Sequence, residues 1–136
     1  MAKQTGKQLQ SQIRRIFGKH VYGNMYGLNE LQITDVDFLT KTVLGSAKIG
    51  EMHIVELVTK KFQGYNNVAG GVSIIALIEE SHIALHTWPE SSYATVDIYS
   101  CGEKSKPEAA YKYIMEKLSP KKQKFFSVDR GNSSMS

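Results

Sequence analysis

The chain has 136 residues with 41% hydrophobic composition, a formal net charge of +4 and one cysteine. This length suits one domain with one core and is too short for two comfortable ones. No apolar stretch approaches the roughly 18 residues needed to span a bilayer, and the N-terminus lacks the apolar region of a signal peptide, so we expect a cytoplasmic protein. Cys101 alone can form neither a disulfide within the chain nor a structural zinc site, so it is either a buried small residue or a reactive thiol.

The positive charge lies mainly toward the two ends of the chain. Residues 1–17 are polar and irregular and residues 131–136 offer little apolar surface, so we expect a flexible N-terminal extension, a single domain over 18–130 and a disordered tail. A small basic nucleic-acid-binding domain would carry exposed aromatic residues among basic ones on its strands. The central segments here have almost no lysine or arginine, so we expect no nucleic-acid partner and no membrane partner.

The first predicted strand covers residues 20–28, a segment rich in residues that favour β-structure. Its glycines, Gly23 and Gly27, indicate bulges or close approaches of the backbone. Thr34 followed by Asp37 resembles a capping box, and the apolar residues after it share one face of a predicted helix that lasts until about residue 50.

Three further strands are predicted in the middle of the chain. Residues 52–62 alternate between apolar and polar, with Ile54, Glu56 and Val58 on one face, as in a half-buried strand. Residues 71–78 form a nearly continuous apolar run and residues 81–88 follow almost at once. This pattern predicts two central strands joined by a tight connection at positions 79 and 80.

The remaining elements are a strand, a helix and an edge strand. Residues 93–101 alternate again, and Ser105 with Glu108 resembles a second capping box that opens a helix ending before Pro120. Residues 124–128 could form a last edge strand. The predicted order β-α-β-β-β-β-α-β indicates an α+β fold, a two-layer sandwich in which the helices pack on one face of a largely antiparallel sheet.

The segment from residue 79 to residue 102 concentrates the reactive residue types of the chain. His82 and His86 are four residues apart, but their β-rich surroundings favour a strand, in which they lie roughly 13 Å apart, so we expect no metal site. A serine hydrolase is also disfavoured, because Ser81 follows two glutamates and lacks the glycine elbow of such enzymes.

Three short elements carry a family resemblance: E-S-H at 80–82, H-T-W-P-E at 86–90 and C-G at 101–102. In these elements and their spacing, the chain from about residue 18 to residue 120 resembles the small prokaryotic S-adenosylmethionine decarboxylases and their archaeal arginine decarboxylase relatives. The resemblance implies that the hydroxyl of Ser81 attacks the carbonyl of Glu80 and splits the proenzyme into chains 1–80 and 81–136. It also implies that Ser81 becomes a covalent pyruvoyl cofactor, and that the cleaved protomers form a dimer.

The same resemblance implies roles for individual residues. His86 and Ser73 match positions that assist the self-cleavage. The pyruvoyl carbonyl would form a Schiff base with the amine of a small amino-acid substrate and withdraw electrons from the bond to its carboxylate. Cys101 matches the residue that returns a proton to the carbanion left by carbon dioxide, a task that suits a thiol at neutral pH. The implied pathway is polyamine biosynthesis.

Two substrates remain open. Tyr65 and Glu90 match positions that contact the nucleoside of S-adenosylmethionine in its decarboxylases. These two residues favour S-adenosylmethionine, which is the alternative substrate. Against it, Asn24 stands where those enzymes usually carry an acid, and G-N-M-Y, M-H-I-V-E and G-G-V-S-I-I-A-L look more like the arginine decarboxylase branch. We therefore favour conversion of arginine to agmatine. A guanidinium requires an acid partner, and the candidates in that half of the chain are Asp35, Asp37, Glu51 and Glu56.

Overall fold

The computed structural model describes residues 17–131. Six strands form one antiparallel sheet: β1 (Phe17–Tyr26), β2 (Ile54–Lys61), β3 (Val72–Ile78), β4 (Ser81–Trp88), β5 (Tyr93–Ser100) and β6 (Lys122–Gly131). Their spatial order is β2-β3-β4-β5-β1-β6. The helices are α1 (Glu30–Ile33), α2 (Val36–Ile49) and α3 (Pro107–Leu118), with a 3₁₀ turn at Pro89–Ser91. The predicted α+β sandwich with helices on one face is confirmed.

The ends of the described region are strands. β1 begins at Phe17 and β6 ends at Gly131, and the two pair with each other over their full length. The rest of the predicted N-terminal extension and of the predicted tail lies outside the described residues. Within residues 17–131, no helix is long and apolar enough to cross a membrane.

The sheet has a buried face and an open face. In β3, β4 and β5 every second residue is buried against α2 and α3, because side chains of a strand alternate between its two sides. We call the other side, which no described helix covers, the open face. Several large apolar side chains remain 40 to 55% exposed there: Val58, Ile75, Leu77, Trp88, Phe126 and Val128.

Both predicted capping boxes are wrong in detail. The N-cap of α2 is Asp35, whose carboxylate accepts a hydrogen bond from the Phe38 N–H at 3.1 Å. Thr34 instead closes the one-turn helix α1 by donating to the carbonyl of Glu30. Helix α3 starts at Pro107, whose ring presets a helical φ, and Ser105 bonds back to the carbonyl of Gly102.

The alternation predicted for β2 is interrupted by a bulge between Ile54 and Glu56. The extra residue shifts the pleat, so Ile54 and Leu57 both pack against the core. Glu56 and Val58 pair with Leu77 and Ile75 and lie on the open face.

The predicted close approach is found at Gly23, whereas Gly27 lies just beyond the end of β1. A side chain at Gly23 would collide with the hydroxyl of Tyr111 and the carbonyl of Lys124, so α3 can approach the sheet only over a glycine. Gly27 has φ +68°, a conformation that favours glycine.

Candidate active site

The tight connection between β3 and β4 holds a strained serine. Ile78 pairs with Ser81, which leaves Glu79 and Glu80 as a two-residue turn, as predicted. Ser81 has φ +155°, which L-residues with a side chain rarely adopt. Such strain persists only where the surroundings enforce it, and it clusters at functional sites.

The carbonyl of Glu80 is held from the neighbouring strand. Ser81 pairs with Ser100 of β5, so the residue after that strand, Cys101, lies beside the turn. The Cys101 N–H donates to the Glu80 carbonyl oxygen at 3.1 Å, and the Cys101 Sγ lies 3.2 Å from the same oxygen. Cys101 is exposed, so of the two interpretations offered by the sequence, a buried small residue or a reactive thiol, the reactive thiol remains. A backbone donor aimed at a carbonyl oxygen can stabilise negative charge that develops there.

The side chain of Glu80 is anchored on the other side of the turn. Its carboxylate accepts a hydrogen bond from the His53 N–H at 3.1 Å and lies 3.3 Å from the His53 ring. Burial alone would raise the pKa of Glu80, but the hydrogen bonds from His53 outweigh it and lower this pKa below its ordinary value. With Glu79 nearby, these side chains form the one group of three potential metal ligands among residues 17–131.

A second set of polar contacts starts at the hydroxyl of Ser81. Its Oγ lies 3.2 Å from Nδ1 of His82, and Nε2 of His82 lies 3.3 Å from Asp97. Asp97 in turn contacts His20 at 2.9 Å. No sequence pattern predicted a role for His82, Asp97 or His20. They meet because β4, β5 and β1 are neighbours in the sheet, an arrangement that no local pattern reveals.

Ser73 and His86 form a separate pair. They lie opposite each other on β3 and β4, and Ser73 Oγ is 2.7 Å from Nδ1 of His86. The pair lines a cavity of about 500 Å³ beside the loop of residues 62–71. Tyr65 and Glu90 line the same cavity, so four of the predicted site residues are brought together here.

The two groups of predicted residues do not meet within one chain. Ser81 and His86 are five residues apart on the same strand, which at ~3.3 Å per residue separates them by about 16 Å. The resemblance implies that His86 assists the self-cleavage, but the extended strand does not bring it to Ser81 of its own chain.

The remaining acid candidates are scattered. Glu56 and Asn24 both lie on the open face, but β2 and β1 are four strands apart, roughly 19 Å at the usual strand spacing. Asp35 is occupied as a helix cap, and Glu51 pairs with Lys106 at 2.7 Å. None of these side chains lines the cavity of Ser73 and His86.

Three comparisons identify relatives of the chain. A family model described as S-adenosylmethionine decarboxylase matches residues 19–131. The chain is 49% identical over 106 residues to the arginine decarboxylase proenzyme of Hyperthermus butylicus, covering 78% of this chain and 72% of that protein. It is also similar to the crystal structure of the adenosylmethionine decarboxylase from Aquifex aeolicus VF5, with a TM-score of 0.76 and 32% identity, covering 85% of this chain and 92% of that one.

Proposed function

Because the chain belongs to the S-adenosylmethionine decarboxylase family, we propose that this decarboxylase is a proenzyme that cuts itself between Glu80 and Ser81 and then converts arginine to agmatine and carbon dioxide. One observation carries the self-cleavage. The strained Ser81 follows a carbonyl whose oxygen already accepts a hydrogen bond from the Cys101 N–H at 3.1 Å.

The first step of the proposed cleavage, formation of the ester, uses groups of one protomer alone. Attack of Ser81 Oγ on the Glu80 carbonyl carbon places negative charge on the oxygen that the Cys101 N–H faces. Breaking the peptide bond releases the strained φ of Ser81 and leaves an ester. Removal of the Ser81 α-hydrogen then expels Glu80 as a carboxylate and leaves a dehydroalanine. Water adds to the imine form of that residue, its nitrogen leaves as ammonia, and a keto group remains at position 81.

The residues around Ser81 fit a pyruvoyl group. When formed, that group supplies an electron sink for the carbanion left after carbon dioxide departs. Cys101 would return the proton, since its exposed Sγ lies 3.2 Å from the carbonyl oxygen that precedes Ser81. A thiol this close to the reacting residue needs no large movement to reach the substrate carbon.

The proposed arginine specificity rests on the relative and on the cavity. The relative from Hyperthermus butylicus is an arginine decarboxylase proenzyme. Glu90 is the one carboxylate among the described residues that line the cavity of Ser73 and His86, and a guanidinium needs such a partner. The same cavity supports the second candidate, S-adenosylmethionine, because Tyr65 and Trp88 offer aromatic faces to a purine.

A complete site requires a second copy of the chain. The cavity with Ser73 and His86 is about 16 Å along the strand from Ser81, too far for contact within one protomer. A second copy of the chain that packs on the open face would bury the exposed apolar side chains there. The same packing would bring His86 of the partner subunit to Ser81. We therefore include a homodimer of cleaved protomers in the proposal, with His86 of the partner subunit removing the Ser81 α-hydrogen.

Mass spectrometry and substrate turnover test the proposal together. The purified protein should give masses for residues 1–80 and 81–136, the second with a keto acid in place of its N-terminal amine. Carboxyl-labelled arginine should release labelled carbon dioxide, and carboxyl-labelled S-adenosylmethionine should release little. An intact chain after full maturation would contradict the self-cleavage. Turnover of S-adenosylmethionine alone would contradict only the substrate.

A further inference from the structure

A chain of polar contacts leads from the hydroxyl of Ser81 across three neighbouring strands. Ser81 Oγ contacts His82 Nδ1 at 3.2 Å, and His82 Nε2 contacts Asp97 Oδ1 at 3.3 Å. The other carboxylate oxygen of Asp97, Oδ2, lies 2.9 Å from His20 Nε2. None of the steps proposed above for cleavage or decarboxylation uses the side chains of His82, Asp97 and His20.

We propose that His82 is the catalytic base of self-cleavage and that Asp97 and His20 are the residues that position it. This inference rests on the proposed self-cleavage and names the group that drives its first step. A serine hydroxyl is a weak nucleophile unless an adjacent base accepts its proton. His82 is the imidazole within hydrogen-bonding distance of that hydroxyl.

The proton of the hydroxyl is conserved through the step. His82 Nδ1 accepts it as Ser81 Oγ forms a bond to the carbonyl carbon of Glu80. When the bond from that carbon to the Ser81 amide nitrogen breaks, His82 delivers the same proton to the nitrogen. The products are an ester and a free amine, so no oxidant, reductant or other reactant is consumed.

Asp97 selects the tautomer that this step needs. For Nδ1 to accept a proton, the ring must carry its hydrogen on Nε2, and that hydrogen is donated to Asp97 Oδ1. His20 donates to the second oxygen of Asp97 and so fixes the orientation of the carboxylate. His20 is the most enclosed of the three, with 21% of its side chain exposed against 42% for Asp97.

His86 of the same protomer cannot perform this step. It lies about 16 Å away along β4, and its Nδ1 already contacts Ser73 Oγ at 2.7 Å. The two histidines therefore serve different steps: His82 forms the ester within its own chain, and His86 of a partner subunit eliminates it.

Hydroxylamine separates the two steps, because it cuts esters and leaves ordinary peptide bonds intact. The full chain is made by cell-free synthesis, and the cut fraction is followed over time on denaturing gels. We expect His82→Ala to be cut at least about 100-fold more slowly than the unmodified chain, with no gain from hydroxylamine. His86→Ala should also remain uncut, but hydroxylamine should cut it, because its ester has formed.

Added imidazole should restore part of the cleavage in His82→Ala, which a merely misfolded chain would not allow. Asp97→Asn should slow cleavage about tenfold, Asp97→Glu should recover part of the rate, and the matched control Asp129→Asn on the exposed edge strand should not change it. His20→Ala should cause a smaller loss that His20→Gln reverses, because the amide can donate the same hydrogen bond.

Two outcomes would overturn the role of His82: cleavage of His82→Ala at the unmodified rate, or cutting of His82→Ala by hydroxylamine. In both cases the unmodified chain still splits, so the proposed function survives. If the unmodified chain itself stays whole, the proposed function fails, and the two failures are therefore distinguishable.

Discussion

The thiol of Cys101 lies 3.2 Å from the carbonyl oxygen of Glu80, although the two residues are 21 positions apart in the chain. The backbone N–H of Cys101 donates to the same oxygen. One residue thus presents two different groups to the peptide bond that we propose is cut. The backbone group would serve the cleavage, and the side chain would serve the later decarboxylation.

Replacement of Cys101 by alanine should separate these two functions. Cys101→Ala keeps the backbone donor, so the chain should still split at Ser81. It loses the proton donor, so kcat for carbon dioxide release should fall about 100-fold or more. Denaturing gels measure the first effect and labelled arginine the second. Turnover at the unmodified rate would mean that another group protonates the carbanion.

The Glu80 carboxylate should make the turn more stable at neutral pH than in acid. Its pKa in the folded chain is lowered from an ordinary 4.5, so its stabilisation is present above that value and is lost as the pH falls through the folded pKa. In an uncut Ser81→Ala background, Glu80→Gln should lower the free energy of unfolding by about 1 kcal/mol at pH 7. Denaturant titrations at pH 7 and below pH ~4 should show this difference shrinking in acid.

The exposed Glu103 provides the control for that measurement. Glu103→Gln in the same background should leave the stability almost unchanged at both pH values. A difference for Glu80→Gln that grows in acid would contradict the assigned direction of the pKa shift.

Mixed dimers should reveal whether the site is shared. His86→Ala chains alone should stay uncut, and Ser81→Ala chains cannot be cut. When both are produced in equal amounts, random pairing gives about half of the His86→Ala chains a partner with an intact His86, and those chains should split. Distinguishable tags on the two chains allow the gel to report each separately. An uncut His86→Ala chain in verified mixed dimers would place the required histidine elsewhere.

Glu90 should affect substrate binding more than chemistry. If its carboxylate pairs with the guanidinium, Glu90→Gln should raise KM for arginine about tenfold or more, while kcat changes little. Glu90→Gln should leave the self-cleavage unaffected, because no proposed step of the cleavage uses the Glu90 carboxylate. A fall in kcat with KM unchanged would indicate that Glu90 acts in the reaction itself.

Local patterns were sufficient for most of the fold and for one part of the site. The apolar run before Glu79 and the strand after Glu80 predicted the central hairpin, because burial on a sheet leaves a clear periodicity. Ser105 indicated a cap that does not exist, because Pro107 starts α3 without a side-chain cap. The contact between His20 and Asp97 spans 77 positions and depends on β1 lying beside β5, which is a property of the whole sheet.

The strand order determines how the two pieces of the chain would stay together after a cut at the turn. The first 80 residues would contribute β1, β2 and β3, and the remainder β4, β5 and β6, yet β1 lies between β5 and β6. The two pieces are therefore interleaved, because β1 of the first piece is hydrogen-bonded on both edges to strands of the second piece. Separating them would require both of these ladders and the β3–β4 ladder to open. After such a cut, unfolding becomes dissociation into two molecules, and refolding becomes a second-order process that depends on protein concentration.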